Sequence, residues 1–267
     1  MDLQSLFSLE GRVALVTGGS RGIGRMIAEG FIAAGCARVY LCARKQDELD
    51  AAQAELGERA VGLRTDLSTQ EGIEALAAEI SAREKRLDIL VNNAGAAWGA
   101  PFDDFPEGGW DKVLDLNLKA PFFLTQKLHP LLKAAASAER PAKVINIASI
   151  DGLKINPWET YPYQASKAGL VHLTRRLAAR LVGEHIHVTA IAPGAFPSSM
   201  NKPARDAADQ VAKVIPSRRV GTAEDMAGAA IYLASRAGDY VVGSTVTVDG
   251  GMVDAGLSLG FGDPAGG

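Results

Sequence analysis

Short apolar runs recur along the chain, and each is followed by a stretch with helical spacing of apolar positions. The runs are Val13–Val16, Arg38–Ala43, Ala60–Arg64, Leu87–Val91, Lys143–Ala148, His187–Ala192 and Val242–Val248. Their length and apolar character predict strands buried on both faces. A helix carrying Met26, Ile27, Phe31 and Ile32 follows the first run and ends near Gly35. Further helices are predicted over Gln46–Gly57, Gln70–Lys85, Trp110–Ala120 continuing towards Leu132, Tyr163–Gly183 and Ala223–Ser235. Strand and helix alternate throughout, which predicts a three-layer α/β fold with a doubly wound, mostly parallel sheet. No repeat or linker interrupts the pattern, so residues 1–267 read as one domain. Ala195–Ser217 is the longest strand-end loop and is rich in proline and charge, as suits a lid over a substrate. The glycine-rich end, from about residue 257, reads as a loosely ordered tail that Leu257, Leu259 and Phe261 could anchor.

The connection after the first strand is TGGSRGIG, Thr17 to Gly24. Strand, glycine-rich turn and helix form the front edge of a Rossmann dinucleotide unit. Gly18, Gly22 and Gly24 permit a tight turn, close approach to a pyrophosphate and helix–sheet packing; Ser20, Arg21 and Ile23 complete the cradle. Other strand ends should line the same ligand. The second run ends in Ala43 and then Arg44, with no acidic residue to hold both hydroxyls of an unphosphorylated ribose. Arg44 and Arg21 instead offer two guanidinium forks suited to a 2′-phosphate, which favours NADP(H) over NAD(H). The alternative leaves both as solvated charges. Asp66 is placed to accept from an adenine amino group and Leu67 to cover a ring face. Asn93, Ala94 and Gly95 let a cofactor pass closely, and Pro193, Gly194, Phe196 and Ser198 follow the sixth strand as further cofactor-binding candidates.

A sharper constellation lies downstream. Tyr163 and Lys167 are four apart in YQASK and share a helix face, while Ser149 follows the fifth strand. Hydride transfer to a carbonyl leaves negative charge on oxygen, and Tyr163 is placed to protonate it. A free phenol, with a pKa of about 10, exchanges protons slowly near neutrality, so a neighbouring Lys167 cation is expected to lower it. Ser149 would hold the substrate oxygen. Asn117 would hold a water linking Lys167 to solvent. Tyr161 competes as an acid, but its four-apart neighbour is Ala165.

Composition narrows the partners. At 267 residues and 47% hydrophobic the chain can bury a core without metals or disulfides. A net charge of −3 argues against nucleic-acid or polybasic membrane binding. Cys36 and Cys42 read as buried apolar residues, and His129, His172, His185 and His187 show no zinc-ligand spacing, so no metal is expected. The first residues lack a basic start and a long apolar core, which reads as cytoplasmic. Phe102, Trp158, Phe196 and Met200 are candidates for an apolar substrate cleft. Lys133, Arg140 and Lys143 could meet an acidic carrier protein, or be scattered surface charge.

TGGSRGIG, NNAG, LNLKAPF, INIAS, YQASK, Pro193-Gly194, RRVGTAEDMA and TVTVDGG together resemble the short-chain dehydrogenase/reductase family over roughly residues 10 to 253. The resemblance implies a seven-stranded parallel sheet in the order 3-2-1-4-5-6-7. It also implies homotetramers or homodimers paired through the long fourth and fifth helices, and the roles given above for Tyr163, Lys167, Ser149 and Asn117. INIAS, Trp98-Gly99 and IAPGAFPSSM are similar to 3-oxoacyl reductases of the rhamnolipid-pathway type. This implies NADPH-dependent reduction of a ketone, foremost a CoA- or carrier-linked 3-oxoacyl thioester. A broad secondary-alcohol dehydrogenase is the alternative, and a noncatalytic NADP-binding regulatory protein is the alternative of another class. Two features depart from the family. Its PGxxxT pattern ends here at Ser198, and thirteen residues separate Ser149 from Tyr163, one more than is common, which places an added residue near Pro157-Trp158.

Overall fold

The computed structural model describes residues 1–255, so the expected tail anchors Leu257, Leu259 and Phe261 lie outside the described residues. Seven strands form one sheet: β1 Val13–Thr17, β2 Arg38–Ala43, β3 Ala60–Arg64, β4 Ile89–Asn92, β5 Ala142–Ile147, β6 Ile186–Pro193 and β7 Thr245–Val248. Their order is β3-β2-β1-β4-β5-β6-β7. Every neighbouring pair is parallel. The sheet order reverses between β1 and β4, and a ligand crevice opens there beyond the carboxyl ends of the strands.

Alternation along each strand feeds two apolar layers. Ala14 and Val16 face one core with Ile27, Phe31, Met226 and Leu233. These come from α2 (Gly22–Ala33) and α10 (Ala223–Ala234). A Cβ on Gly30 would lie 2.6 Å from that of Ala227, so α2 and α10 pack with almost no separation. Leu15 and Tyr40 face the opposite core with Ile73, Leu76, Leu124 and Leu128. These come from α4 (Gln70–Arg83) and α6 (Ala120–Ala135). Cys36 and Cys42 are buried and unpaired, and burial pushes both thiols up to about 12. α3, Gln46–Leu56, follows β2.

The sequence pattern misplaces some boundaries. A short α1, Leu3–Phe7, precedes the sheet, and Asp2 caps it by accepting from the Gln4 and Ser5 amides. The predicted Trp110–Leu132 helix is three pieces: α5 (Glu107–Leu114), a π turn (Asp115–Lys119) and α6. Hydrophobic spacing passes through a single wide turn without a visible break. α7 spans Tyr161–Leu181, with Pro162 in its first turn where the missing amide costs nothing. β7 is shorter than expected because Gly243, at φ +72°, turns the chain just before it. The predicted lid contains α8 (Lys202–Asp206) and α9 (Ala208–Ala212), and the buried Ala204 and Ile215 anchor it. No described helix is long and apolar enough to cross a membrane.

Candidate active site

The glycine turn is built by close approach. Gly18 and Gly22 have φ of +64° and +54°. A Cβ on Gly24 would lie 2.3 Å from the Gly18 carbonyl oxygen, so no larger residue fits where α2 leaves the turn. The Thr17 hydroxyl accepts from the Asn93 and Ala94 amides at 2.8 and 2.9 Å. Asn93 returns its side-chain amide to the Thr17 carbonyl at 2.8 Å. The ends of β1 and β4 are thereby fixed across the crevice. Ser198 sits over this turn: a Cβ on Gly22 would lie 3.2 Å from its own Cβ.

Ser149, Tyr163 and Lys167 come together at the ends of β5 and α7. Ser149 is buried, and its hydroxyl accepts from the Asp151 amide at 3.1 Å. Lys167 is buried; its Nζ lies 5.6 Å from the Tyr163 ring centre and donates to the Ile147 carbonyl at 2.7 Å. Below them a buried polar ladder stiffens the floor. Asn92 donates to Asn146 at 2.8 Å, and Asn146 donates to Thr174 at 2.9 Å.

The electrostatics correct the expected lowering of the phenol pKa. Burial pushes Tyr163 up to about 12 against the lowering influence of the Ser149 side chain, and the Asp151 carboxylate pushes the same way as burial. Burial also pushes Lys167 down to about 8, against the attraction of Asp151. Desolvation is therefore the largest influence on both groups. The site presents a protonated phenol held beside a buried amine. Asp151 itself is raised by burial. The sequence reading missed this third charge, although its place two residues after Ser149 was a signal.

Several expected residues are placed differently. The Asn117 side chain accepts from the Ala96 amide at 2.8 Å and donates to the Ala96 carbonyl at 2.9 Å and to Ser166 at 3.1 Å. This side chain pins the π turn to the β4 loop. Phe196 is buried in the core, its ring against Gly221, and does not line a cleft. Leu67 is likewise buried in the core. Asp66 uses one carboxylate oxygen on the Ser68 amide and hydroxyl, at 3.0 and 2.7 Å, and leaves the other open. Lys133, Arg140 and Lys143 pair with Glu184, Asp88 and Asp239. Lys143 is buried near the start of β5, at the far end of the strand from Ser149, so these three residues form no patch beside the catalytic group. Phe102, Trp158 and Met200 are exposed. Among the described residues no three His, Cys, Asp or Glu side chains gather as a metal site.

Residues 18–253 match the family model described as enoyl-(acyl carrier protein) reductase. The rhamnolipids biosynthesis 3-oxoacyl-[acyl-carrier-protein] reductase of Pseudomonas aeruginosa is 48% identical over 253 residues, covering 92% of this chain and 98% of that protein. The chain belongs to the short-chain dehydrogenase/reductase family. The 2-dehydro-3-deoxy-D-gluconate 5-dehydrogenase of Escherichia coli is 37% identical, covering 93% of this chain and 98% of its own length. Among solved structures, the Pseudomonas aeruginosa RhlG/NADP active-site complex superposes with a TM-score of 0.89 at 47% identity, covering 93% of this chain and 98% of that one. A putative 2-deoxy-D-gluconate 3-dehydrogenase from Agrobacterium tumefaciens with bound NADP gives 0.76 at 40% identity, covering 92% and 98%.

This member of the family is an NADP-dependent oxidoreductase acting at a carbonyl or alcohol. Its own residues fit that cofactor. The cradle at Gly18 and Gly24 has no room for a side chain, the α2 amides open onto it, and Arg44 is exposed beyond β2. Among the described residues Arg44 makes no ion pair, so its guanidinium remains available to a phosphate.

Proposed function

We propose that the chain reduces 3-oxoacyl thioesters to 3-hydroxyacyl thioesters. The observation that carries this reading is the apolar rim around a polar catalytic group. Trp98, Phe102, Leu153, Ile155, Trp158 and Met200 are all large apolar residues left exposed, and they lie on the loops that follow β4, β5 and β6. Such a rim suits an acyl chain better than a polyol. Phe102 and Phe105 each meet Tyr161 edge-on at 5.8 Å, which extends the apolar wall to the first turn of α7. The name of the Pseudomonas aeruginosa relative agrees with a carrier-linked acyl substrate. When bound, NADPH supplies the hydride that the ketone carbon accepts. Ser149 orients the ketone oxygen, and Tyr163 gives that oxygen its proton as the carbon–oxygen double bond becomes an alcohol. Lys167 would hold the cofactor ribose and restore the proton to Tyr163, while Asn117 keeps the π turn in place. A parallel screen of 3-oxoacyl thioesters, plain ketones and sugar acids with NADPH tests the reading. The thioesters are expected to give the highest kcat/KM; a higher value for unactivated ketones would replace it with a broad ketone reductase.

The assembly we propose is a homo-oligomer, a tetramer or a dimer. α5–α6 and α7 are the fourth and fifth helices counted from the glycine turn. They leave an apolar groove lined by Leu114, Leu118, Phe122, Phe123 and Leu173. Asp115, Lys119 and Arg176 at its rim supply both signs of charge, as a self-complementary contact needs. Phe122→Asp is expected to shift the protein to a smaller assembly in size exclusion with light scattering. An unchanged mass would remove this groove as the interface.

A further inference from the structure

The donors around the expected 2′-phosphate position already hold an anion of the protein's own. Glu48 lies in the first turn of α3, four residues after Arg44. The Arg21 guanidinium reaches its carboxylate at 2.8 Å and the Lys45 ammonium at 3.0 Å. The Ser20 hydroxyl lies 3.5 Å from the other carboxylate oxygen. Ser20 and Arg21 belong to the glycine turn, and Lys45 follows the end of β2, so donors from both walls of the adenosine subsite converge on one side chain. Arg44 is the cation there that Glu48 does not engage. The Glu48 side chain is 23% exposed and Arg21's is 55% exposed, so the pair is open to exchange with an incoming anion.

We propose that Glu48 is a coenzyme-specificity residue that competes with the 2′-phosphate of NADPH for Arg21, Lys45 and Ser20. A phosphate and a carboxylate want the same donors, and side by side they repel. Binding of the phosphorylated cofactor therefore breaks the Glu48 contacts first and then holds two like charges near each other. An unphosphorylated ribose needs none of those donors and leaves the Glu48 contacts intact. Glu48 thus lowers the preference for NADPH below what Arg21, Arg44 and Lys45 would give alone. Sequence spacing does not reveal this, because Glu48 lies beyond the strand end where an acidic residue selects cofactors by bonding the ribose hydroxyls.

Equilibrium titration of four ligands into the whole protein tests it: NADPH, NADH, 2′,5′-ADP and 5′-AMP. The exposed Arg21–Glu48 pair is a weak one, so Glu48→Gln is expected to tighten NADPH and 2′,5′-ADP by about threefold or more, with a much smaller change for NADH and 5′-AMP. In the Glu48→Gln background, Arg21→Ala should cost NADPH binding more than it does in the wild type, because Arg21 then has no other anion. A structural role for Glu48 would move phosphorylated and unphosphorylated ligands together. Equal shifts, or weaker NADPH binding, would overturn the proposal. Glu48→Ala repeats the test without an amide in place of the acid, and a melting curve for each variant establishes that it is folded.

Discussion

Tyr163→Phe should lower kcat for ketone reduction by roughly 10³-fold while NADPH still binds with near wild-type affinity. The phenol shares a face of α7 with Lys167, whose Nζ lies 5.6 Å from its ring centre. Removing the phenol oxygen leaves the ring, and therefore the packing, in place. The loss falls on the proton that must reach the ketone oxygen as charge develops there. Burial keeps this phenol protonated to about 12, so at neutral pH the residue starts as a proton donor. Reduction is then the direction served at neutral pH. Alcohol oxidation requires the phenolate and is expected to rise steeply with pH in the wild type. Steady-state kinetics in both directions, with NADPH fluorescence titration, check both statements. A variant within a few-fold of the wild type would show that another group carries the proton.

The fold was legible because its signals are local. Val13–Val16, TGGSRGIG and the following helix specify a strand, a turn that only glycine can make, and an apolar helix face; the closeness at Gly24 shows why the motif is narrow. The gathering of Ser149, Tyr163 and Lys167 was legible for a related reason, since helical spacing and strand-end position fix where each must lie. The rest depended on contacts between distant segments. Asn117 reads as a polar residue near the site, and its side-chain partners Ala96 and Ser166 come from two other segments that spacing does not reveal. Phe196 and Leu67 were assigned by position in a loop, whereas side-chain direction there is decided by packing, and both turn inward. The Tyr163 proton affinity was misjudged because a sequence shows a neighbouring cation but not the loss of solvent that opposes it. Lys143 looks like surface charge in the sequence because nothing in the local pattern marks its distant partner Asp239.

Cofactor choice should turn on Arg44 more than on Arg21. Arg21 is already bonded to Glu48, so a phosphate gains its guanidinium only by breaking that pair. Arg44 needs no such exchange, and its side chain stands exposed just past the end of β2. A hydrogen bond to a charged group is worth about 1.5–3 kcal/mol, which corresponds to roughly 10- to 100-fold in affinity. Arg44→Asp removes the donor and places a repelling carboxylate beside the phosphate. The variant is therefore expected to bind NADPH about 10²-fold more weakly, with NADH affected much less or improved, so that kcat/KM favours NADH. Arg21→Ala should shift the same ratio by a smaller factor. If Arg44→Asp weakens both cofactors equally, the arginine is holding the loop and not the phosphate; selectivity would then rest on Arg21 and Lys45, whose contacts with Glu48 would have to open each time NADPH binds.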